Sequence, residues 1–266
     1  MNLKEYLEND FKKDLTKAAA EFIGTTYFLF MGLGGADAIS AFAGKSLDDI
    51  KILATAFSFG WSLMINVWLW IDISGGVLNP AITIALMFTE DLGIMRGIFY
   101  IIAQFAGGIV GSLFAKLFLP APITALTTLS NNTSVLQGLV LEIMTTSVLT
   151  LAVYMLAING NKKKGVSIPA FGIGTSLLIS VLVVGPYTGA SLNPARTLGP
   201  AIVAGKFSSD IWIYFVGPIL GSFLAALFFT LFHGDVKVRR DIDREADREA
   251  DREADREDVK NIITDD

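Results

Sequence analysis

The 266-residue sequence has no cysteine and a single histidine, His233. Without cysteine there can be no disulfide bond, thiolate nucleophile, iron–sulfur cluster or thiolate zinc site. The histidine lies where an apolar run meets a charged tail, which gives little basis for a Ser-His-Asp catalytic site. We therefore expect no enzymatic activity, no catalytic residues, no metal and no cofactor.

Charged residues are also scarce, at 18% of the chain against roughly 25% in an average soluble domain. Residues 235–266 hold 13 of the 26 acidic and 8 of the 21 basic residues, so residues 1–234 carry 13 of each sign. So few charges cannot cover the surface of a soluble protein of this size. They also leave no basic excess for nucleic acid. The body of the chain must therefore meet a solvent other than water.

Long uncharged runs are abundant. Four of them hold 19 to 22 residues: Ile52–Ile71, Gly97–Ala115, Ile143–Asn161 and Ile211–Phe232. Since about 20 apolar residues cross a bilayer as a helix, each run predicts a membrane-spanning helix. Ala18–Ala36, interrupted only by Glu21, predicts another.

One further run, Gly165–Ala195, is too long for a single span and contains Pro186 and Pro194. It predicts a sixth helix ending near Gly185, then a turn and a short half-span. A matching half-span is expected from Asn79 to about Phe88. The sequence thus predicts an all-α membrane protein with six transmembrane helices and two half-helices. The channel domain would be residues 18–233, between an N-terminal amphipathic segment, 1–17, and a charged tail, 234–266.

Basic residues flanking the spans predict the orientation. With the N-terminus inside, eleven lysines and arginines lie on the inner side and four on the outer side, leaving out Arg196 as part of a motif. Such an excess is typical of cytoplasmic flanks. We expect a multi-pass protein with both termini in the cytoplasm, in a plasma or intracellular membrane.

The two halves of the chain repeat each other, at about 18–118 and 135–233. Glu21-Phe-Ile-Gly-Thr25 is matched by Glu142-Ile-Met-Thr-Thr146. Ser74-Gly-Gly-Val-Leu-Asn79-Pro80-Ala81 is matched by Thr188-Gly-Ala-Ser-Leu-Asn193-Pro194-Ala195. Each half has three spans, an odd number, so the second half enters the membrane from the opposite side. Such inverted repeats place broken helices and a site near the bilayer midplane.

The Asn-Pro-Ala boxes suit the start of a half-helix. Proline fits the first helical position, where its missing N–H would have no partner in any case. Asparagine caps the start, and its amide group can also donate hydrogen bonds. Two half-helices meeting at the midplane direct their positive ends to one point, which repels cations.

With these motifs the sequence resembles the aquaporin, or major intrinsic protein, family over about Ala18 to Phe232. The resemblance implies a passive water channel that excludes protons and ions and assembles as a homotetramer in the lipid bilayer. It also implies that Glu21 and Glu142 hold the backbone amides of the pore loops. A proton-relay role for these buried carboxyls is the alternative.

The resemblance further implies a selectivity filter at four positions counted from the boxes. These are 20 residues before Asn79, and 12 before, 3 before and 3 after Asn193: Phe59, Val181, Ala190 and Arg196. Strict water channels usually have histidine at the position of Val181, so the constriction should be wider and less polar. Thr197 directly after the arginine, where glycerol-conducting relatives typically have aspartate, favours water.

Three functions therefore stay open. The first is a water channel, with or without the passage of small neutral solutes. The second is a facilitator mainly of glycerol, urea or similar solutes. The third is a structural or adhesive membrane protein of the same fold.

Several further segments have two interpretations each. Ser167, after Lys162-Lys163-Lys164, is a candidate for regulation by phosphorylation, although the lysines also suit a simple membrane anchor. Asn131 and Asn132 begin overlapping glycosylation sequons in the predicted outer loop. The repeated Asp-Arg-Glu-Ala tail reads as a solvated extension or as a partner-binding segment.

Two glycine pairs, Gly107 with Gly111 and Gly217 with Gly221, predict close helix crossings. These crossings lie either within the chain or between subunits.

Overall fold

The computed structural model of the protein describes residues 10–42, 48–130, 132–159 and 166–233. In these ranges the regular structure is helical, without a β-strand. The helices in chain order are α1 (Phe11–Phe42), α2 (Asp48–Trp70), α3 (Pro80–Phe88), α4 (Ile94–Phe118), α5 (Val135–Ala152, continued by a π-helical turn, Val153–Ile158), α6 (Ser167–Thr188), α7 (Pro194–Ala204) and α8 (Ile213–His233).

The chain divides into two compact units, Met1–Leu227 and Phe228–Asp266. The first contains the helices from α1 to α7 and most of α8. In the second, the described residues are the last six of α8. The predicted tail, 234–266, lies outside the described residues.

Six helices among the described residues are long and apolar enough to cross a membrane: α1, α2, α4, α5 with its π-helical turn, α6 and α8. The short helices α3 and α7, of 9 and 11 residues, lie between them in the chain. The predicted architecture of six spans and two half-helices is therefore confirmed.

Several helices extend beyond the uncharged runs that predicted them. The first helix begins at Phe11 and includes Lys12 and Lys13, and it continues without a break through residue 17. Helix α6 continues past Pro186 to Thr188, and Gly189 caps it in a left-handed conformation. Lys12 and Lys13 lie in the first turn of their helix, outside the uncharged run. Pro186 lies in the last turn of its helix, where its missing N–H removes a single intrahelical hydrogen bond.

Glycines bring the spanning helices into backbone contact. A Cβ atom at Gly107 would lie 2.5 Å from the carbonyl oxygen of Phe22 in α1, and one at Gly217 would lie 2.7 Å from Cβ of Glu142 in α5. A Cβ atom at Gly111 would collide with the carbonyl oxygen of Thr26. Both glycine pairs therefore serve crossings within the chain, α1 with α4 and α5 with α8.

The second half-helix is held against the first repeat by two glycines. A Cβ atom at Gly108 of α4 would lie 2.8 Å from the carbonyl oxygen of Ala195, and a Cβ atom at Gly199 of α7 would collide with the backbone of Gly108. Small residues permit this approach of two backbones. The packing places the start of α7 deep among the spanning helices.

A π-helical turn ends α5. The N–H of Asn159 donates to the carbonyl of Tyr154 at 2.8 Å, a bond across five residues, and the Tyr154 hydroxyl lies 3.0 Å from Oγ1 of Thr89. Val153 and Ala157 of this turn line the cavity next to the Asn-Pro-Ala boxes. Such turns are frequent at functional sites.

Candidate pore and selectivity filter

Asn79 and Asn193 cap the two half-helices with the same geometry. Both have extended backbones, with φ of −149° and −158°. Oδ1 of Asn79 accepts from the N–H of Ala81 at 3.0 Å, and Oδ1 of Asn193 accepts from the N–H of Ala195 at 2.9 Å. Pro80 and Pro194 occupy the first helical positions. Each cap satisfies a backbone donor that the helix start leaves free.

The same two asparagines connect the halves of the chain. Nδ2 of Asn79 donates to the carbonyl of Leu192 at 2.7 Å, and Nδ2 of Asn193 donates to the carbonyl of Leu78 at 2.8 Å. We call this pair of bonds the asparagine clasp. Because a side-chain amide has two N–H donors, each asparagine keeps a second donor for a molecule in the cavity that both residues line.

Glu21 organises the loop before the first half-helix. Its carboxylate accepts from the hydroxyl of Ser74 at 2.6 Å and from the N–H groups of Val77 and Leu78 at 3.0 and 2.7 Å. It also accepts from Nε2 of the Gln104 side-chain amide at 2.8 Å. The fully buried carboxylate thus has four donors, which offset much of the cost of its burial.

Glu142 has the corresponding position in the second half. Its carboxylate accepts from the hydroxyl of Thr188 at 2.8 Å and from the N–H groups of Ser191 and Leu192 at 3.0 and 2.8 Å. The carboxylate is likewise fully buried. Both glutamates therefore bind the backbone amides of a half-helix loop.

Both loops contain residues in the left-handed region. In the first loop these are Gly75 (φ +97°), Gly76 (φ +57°) and Leu78 (φ +52°), and in the second Gly189 (φ +75°), Ala190 (φ +49°) and Leu192 (φ +52°). Such a conformation costs an L-residue roughly 1–2 kcal/mol. It directs the N–H of each leucine to the glutamate of its own half and its carbonyl to the asparagine of the other half.

The four predicted filter residues are all about 2% exposed. The guanidinium carbon of Arg196 lies 4.3 Å from the centre of the Phe59 ring, a distance at which a cation is attracted to an aromatic face. Val181 and Arg196 line the same vestibule. Ala190 belongs to the loop that leads into α7.

Arg196 is held on its other side by a loop. Its Nη1 donates to the carbonyl of Ala125 at 2.8 Å. Ala125 belongs to the uncharged segment 119–134 between α4 and α5. This loop is also tied to α7, because Oγ1 of Thr127 donates to Oγ1 of Thr197 at 3.0 Å.

Two cavities of very different size lie beside the filter residues and the two asparagines. The vestibule beside Val181 and Arg196 has a cavity volume of about 530 Å³. The cavity beside the two asparagines has a volume of about 20 Å³ and is lined largely by apolar residues, including Leu63, Leu149 and Leu177. The smaller volume suits roughly one water molecule. The cavity beside the asparagines therefore has room for a molecule about the size of water.

Sequence reasoning missed Gln104 and Asp37. Gln104 donates to Glu21 and is hydrogen-bonded to Thr83 at 2.9 Å. Asp37 accepts three hydrogen bonds from the loop between α4 and α5. Each carries a weak signal, since Gln104 lies in an uncharged run of 19 residues and Asp37 is among the 13 acidic residues of the body. Neither observation indicates which groups the side chain binds.

The structure describes some of the remaining candidate residues and not others. Ser167 is exposed and begins α6, and Asn132 is exposed just before α5. Asn131 and the lysines at 162–164 lie outside the described residues. His233 is the last residue of α8.

Comparison with known proteins agrees with this geometry. The family model described as "MIP: Major intrinsic protein" matches residues 8–229. The chain is 52% identical to "Aquaporin-1" of Rhizophagus irregularis over 224 residues, which cover 83% of this chain and 79% of that protein. It is 39% identical to "Aquaporin-7" of Botryotinia fuckeliana, covering 84% of this chain but only 51% of the relative.

A solved structure shows the same fold. The aquaglyceroporin from Plasmodium falciparum aligns with a TM-score of 0.66 at 23% identity, covering 81% of this chain and 95% of that one. Three observations indicate the same family. They are the two half-helices joined by the asparagine clasp, the six apolar spans and the family match over most of the chain. The chain belongs to the major intrinsic protein family, and it is an integral membrane protein of the channel type that this family comprises.

Proposed function

We propose that this chain is a passive water channel that excludes ions and protons and also passes small neutral solutes. The observation that carries the proposal is the asparagine clasp, which joins the starts of two half-helices beside the Arg196–Phe59 pair. The match to "Aquaporin-1" of Rhizophagus irregularis supports the same function.

Electrostatics supports the exclusion of cations. The N-terminal ends of α3 and α7 each carry about half a positive charge. Arg196 adds a full charge where it is 2% exposed and only weakly screened. A cation that leaves water for this path meets an unfavourable field, whereas a neutral molecule gains hydrogen-bond donors from the asparagines and from Arg196.

A facilitator of glycerol or urea is the second candidate. Val181 and Ala190 favour it, because their side chains are short and apolar and leave the filter wider than a histidine at position 181 would. Thr197 favours water, since its hydroxyl is already bonded to Thr127 and to Ser191 and adds no charge beside the arginine.

Further features of the chain are proposed with this function. The loop with Ala125 and the vestibule beside it face the exterior, and both termini lie in the cytoplasm. The protein forms a homotetramer with one pore per subunit. Ser167, exposed at the start of α6, is a regulatory site, and Asn132 is a glycosylation site. The channel domain is residues 18–233.

The test is stopped-flow light scattering of proteoliposomes. Vesicles with the protein should shrink faster than empty vesicles in an impermeant osmolyte, and their proton permeability should stay at the empty-vesicle level. A glycerol gradient measures the second candidate in the same vesicles. Water flux equal to that of empty vesicles would refute the proposed function.

Val181→His sharpens the test. It should lower the ratio of glycerol to water permeability about fivefold, the factor that one lost favourable contact of about 1 kcal/mol produces. Val181→Leu adds bulk without polarity and is the matched control. If leucine acts as strongly as histidine, filter size alone sets the selectivity.

A further inference from the structure

We infer that Asp37, near the end of α1, is a positioning residue for the selectivity filter, because it holds the backbone segment whose carbonyl fixes Arg196. The inference rests on the proposed function of the chain as a channel. It adds a selectivity-determining residue that lies outside both Asn-Pro-Ala boxes and outside the four filter positions.

Asp37 is 3% exposed and makes three hydrogen bonds through one oxygen. Oδ1 accepts from the N–H of Thr124 at 2.8 Å, from Oγ1 of Thr124 at 2.7 Å and from the N–H of Ala125 at 3.0 Å. Hydrogen bonds to an ionised acceptor are about twice as strong as neutral ones. The carboxylate thus fixes two consecutive residues of a loop that has no regular secondary structure at this point.

Ala125 connects this anchor to the filter. Its N–H donates to Asp37, and its carbonyl accepts from Nη1 of Arg196 at 2.8 Å. Both groups belong to one residue, so a displacement of residue 125 at the first bond also displaces the second. Arg196 has no other hydrogen bond to this loop among the described residues, and its guanidinium also lies over the face of Phe59.

Other contacts hold the loop farther along. Thr127 is bonded to Thr197, and the N–H of Ser130 donates to the carbonyl of Tyr187 at 2.9 Å. These bonds keep the loop over α6 and α7 when Asp37 is removed. They do not reach the carbonyl of residue 125. A bond from the N–H of Leu126 to the carbonyl of Thr124 at 2.8 Å restrains the shape of this short segment, while Asp37 ties the segment to α1.

Loss of the anchor should widen the filter. Without Asp37, the N–H groups of Thr124 and Ala125 have no acceptor in the protein and turn towards water in the vestibule. The Ala125 carbonyl then no longer accepts from Arg196. The guanidinium group moves into the vestibule, where water can solvate it. The opening beside Val181 and Ala190 grows, which admits glycerol more than it speeds water.

Charge is a second way for Asp37 to act, because its carboxylate binds the N–H of the residue whose carbonyl accepts from Arg196. Asp37→Asn separates the two effects. An asparagine oxygen still accepts hydrogen bonds from the loop but carries no charge. Positioning through hydrogen bonds predicts that Asn preserves the filter and Ala does not.

The experiment compares the full chain with Asp37→Ala, Asp37→Asn and Thr124→Val in proteoliposomes. Asp37→Ala should raise the ratio of glycerol to water permeability about fivefold, the effect of losing a bond worth about 1 kcal/mol. Thr124→Val removes one of the three bonds and should give an intermediate increase. Asp37→Asn should stay close to the wild type, as should Asp72→Ala, which removes an exposed carboxylate elsewhere.

Hydrogen exchange of residues 120–130, measured by mass spectrometry in the same preparations, tests the anchor without relying on conduction. Asp37→Ala should increase exchange there and Asp37→Asn should not. Unchanged exchange in Asp37→Ala, an unchanged permeability ratio, or equal effects of Ala and Asn would each overturn the inference. A wild type without water flux would refute the proposed function instead, while the exchange result would still decide whether Asp37 anchors the loop.

Discussion

Two loops of this channel, residues 74–79 and 188–193, have nearly the same backbone. Each begins with a hydroxyl residue bonded to a buried glutamate, gives that glutamate two N–H groups, and ends in a leucine and an asparagine. Each leucine has a φ of +52°. The shared hydrogen bonds account for the repeat in sequence.

The side chains around the loops differ. Glycine has the left-handed conformation at position 76, whereas alanine has it at position 190. Gln104 supports Glu21. The corresponding residue in the second half, 110 positions later as for the glycine pairs, is Tyr214, whose buried hydroxyl has no hydrogen-bond partner among the described residues.

The position after each box differs most. Ile82 follows the first box and Arg196 the second. Two proposed filter residues, Ala190 and Arg196, therefore belong to the second loop and its half-helix, and none belongs to the first. The comparison teaches that a symmetric scaffold carries an asymmetric filter. Changes to shared residues should affect stability, and changes to the proposed filter residues, which occur in one half alone, should affect selectivity.

The largest effect is expected from the shared glutamates. Glu142→Ala leaves two buried N–H groups unpaired, at about 1–3 kcal/mol each, and should lower the free energy of unfolding by about 3 kcal/mol or more. Glu21→Ala should cost about 1 kcal/mol more because Gln104 loses its acceptor as well. Thermal unfolding in detergent measures both. Equal stability of wild type and variants would contradict the supporting role.

The two supporting side chains should differ next. Gln104→Leu removes a hydrogen bond to a carboxylate, worth about 1.5–3 kcal/mol, and also leaves Thr83 without that partner. Tyr214→Phe removes a hydroxyl without a partner and should change stability by less than about 0.5 kcal/mol. If both variants lose the same stability, the halves are more alike than their hydrogen bonds indicate.

Arg196→Ala should change selectivity more than stability. Loss of a fixed, poorly screened charge should raise proton permeability about tenfold, equivalent to about 1.4 kcal/mol of barrier. A pH-sensitive dye inside proteoliposomes measures it. Ile82→Ala is the matched control at the corresponding position. It should lower stability through a packing defect and leave proton permeability unchanged.

The smallest effect concerns the left-handed residues. Ala190→Gly should stabilise the protein by about 0.5 kcal/mol, since glycine adopts this conformation without strain. Gly76→Ala should destabilise it by about 1 kcal/mol or more, because the new Cβ would also lie 3.1 Å from Cα of Val67. Chemical denaturation of the two variants in parallel would reveal opposite shifts. Shifts of the same sign would contradict the comparison.

The sequence predicted the architecture because the bilayer imposes it. Uncharged runs of about 20 residues separated by charges have few structural alternatives. Helix ends were less predictable. The charge pattern would start the first helix after Lys12, and the proline pattern would end α6 before Pro186, but both residues lie inside their helices. The π-helical turn, Val153–Ile158, has no signal in the periodicity of its apolar residues.

The candidate site was predictable only in part. The repeat placed Asn79 and Asn193 in corresponding positions, and the odd number of spans predicted that they face each other. That each binds the carbonyl of the other loop depends on tertiary contacts. The link from Asp37 through Ala125 to Arg196 joins three separate segments. The selective roles of Phe59, Val181, Ala190 and Arg196 stay predictions until permeation is measured.

The asparagine clasp has a consequence for the biosynthesis of the channel. Leu192 follows its partner Asn79 by 113 residues, which a ribosome adds in roughly 5 to 25 s at 5–20 residues per second. During that time the carbonyl of Leu78 and the amide of Asn79 lack their final partners in a membrane that offers little water. The loop of the first repeat therefore completes its hydrogen bonds only after the second repeat has been inserted.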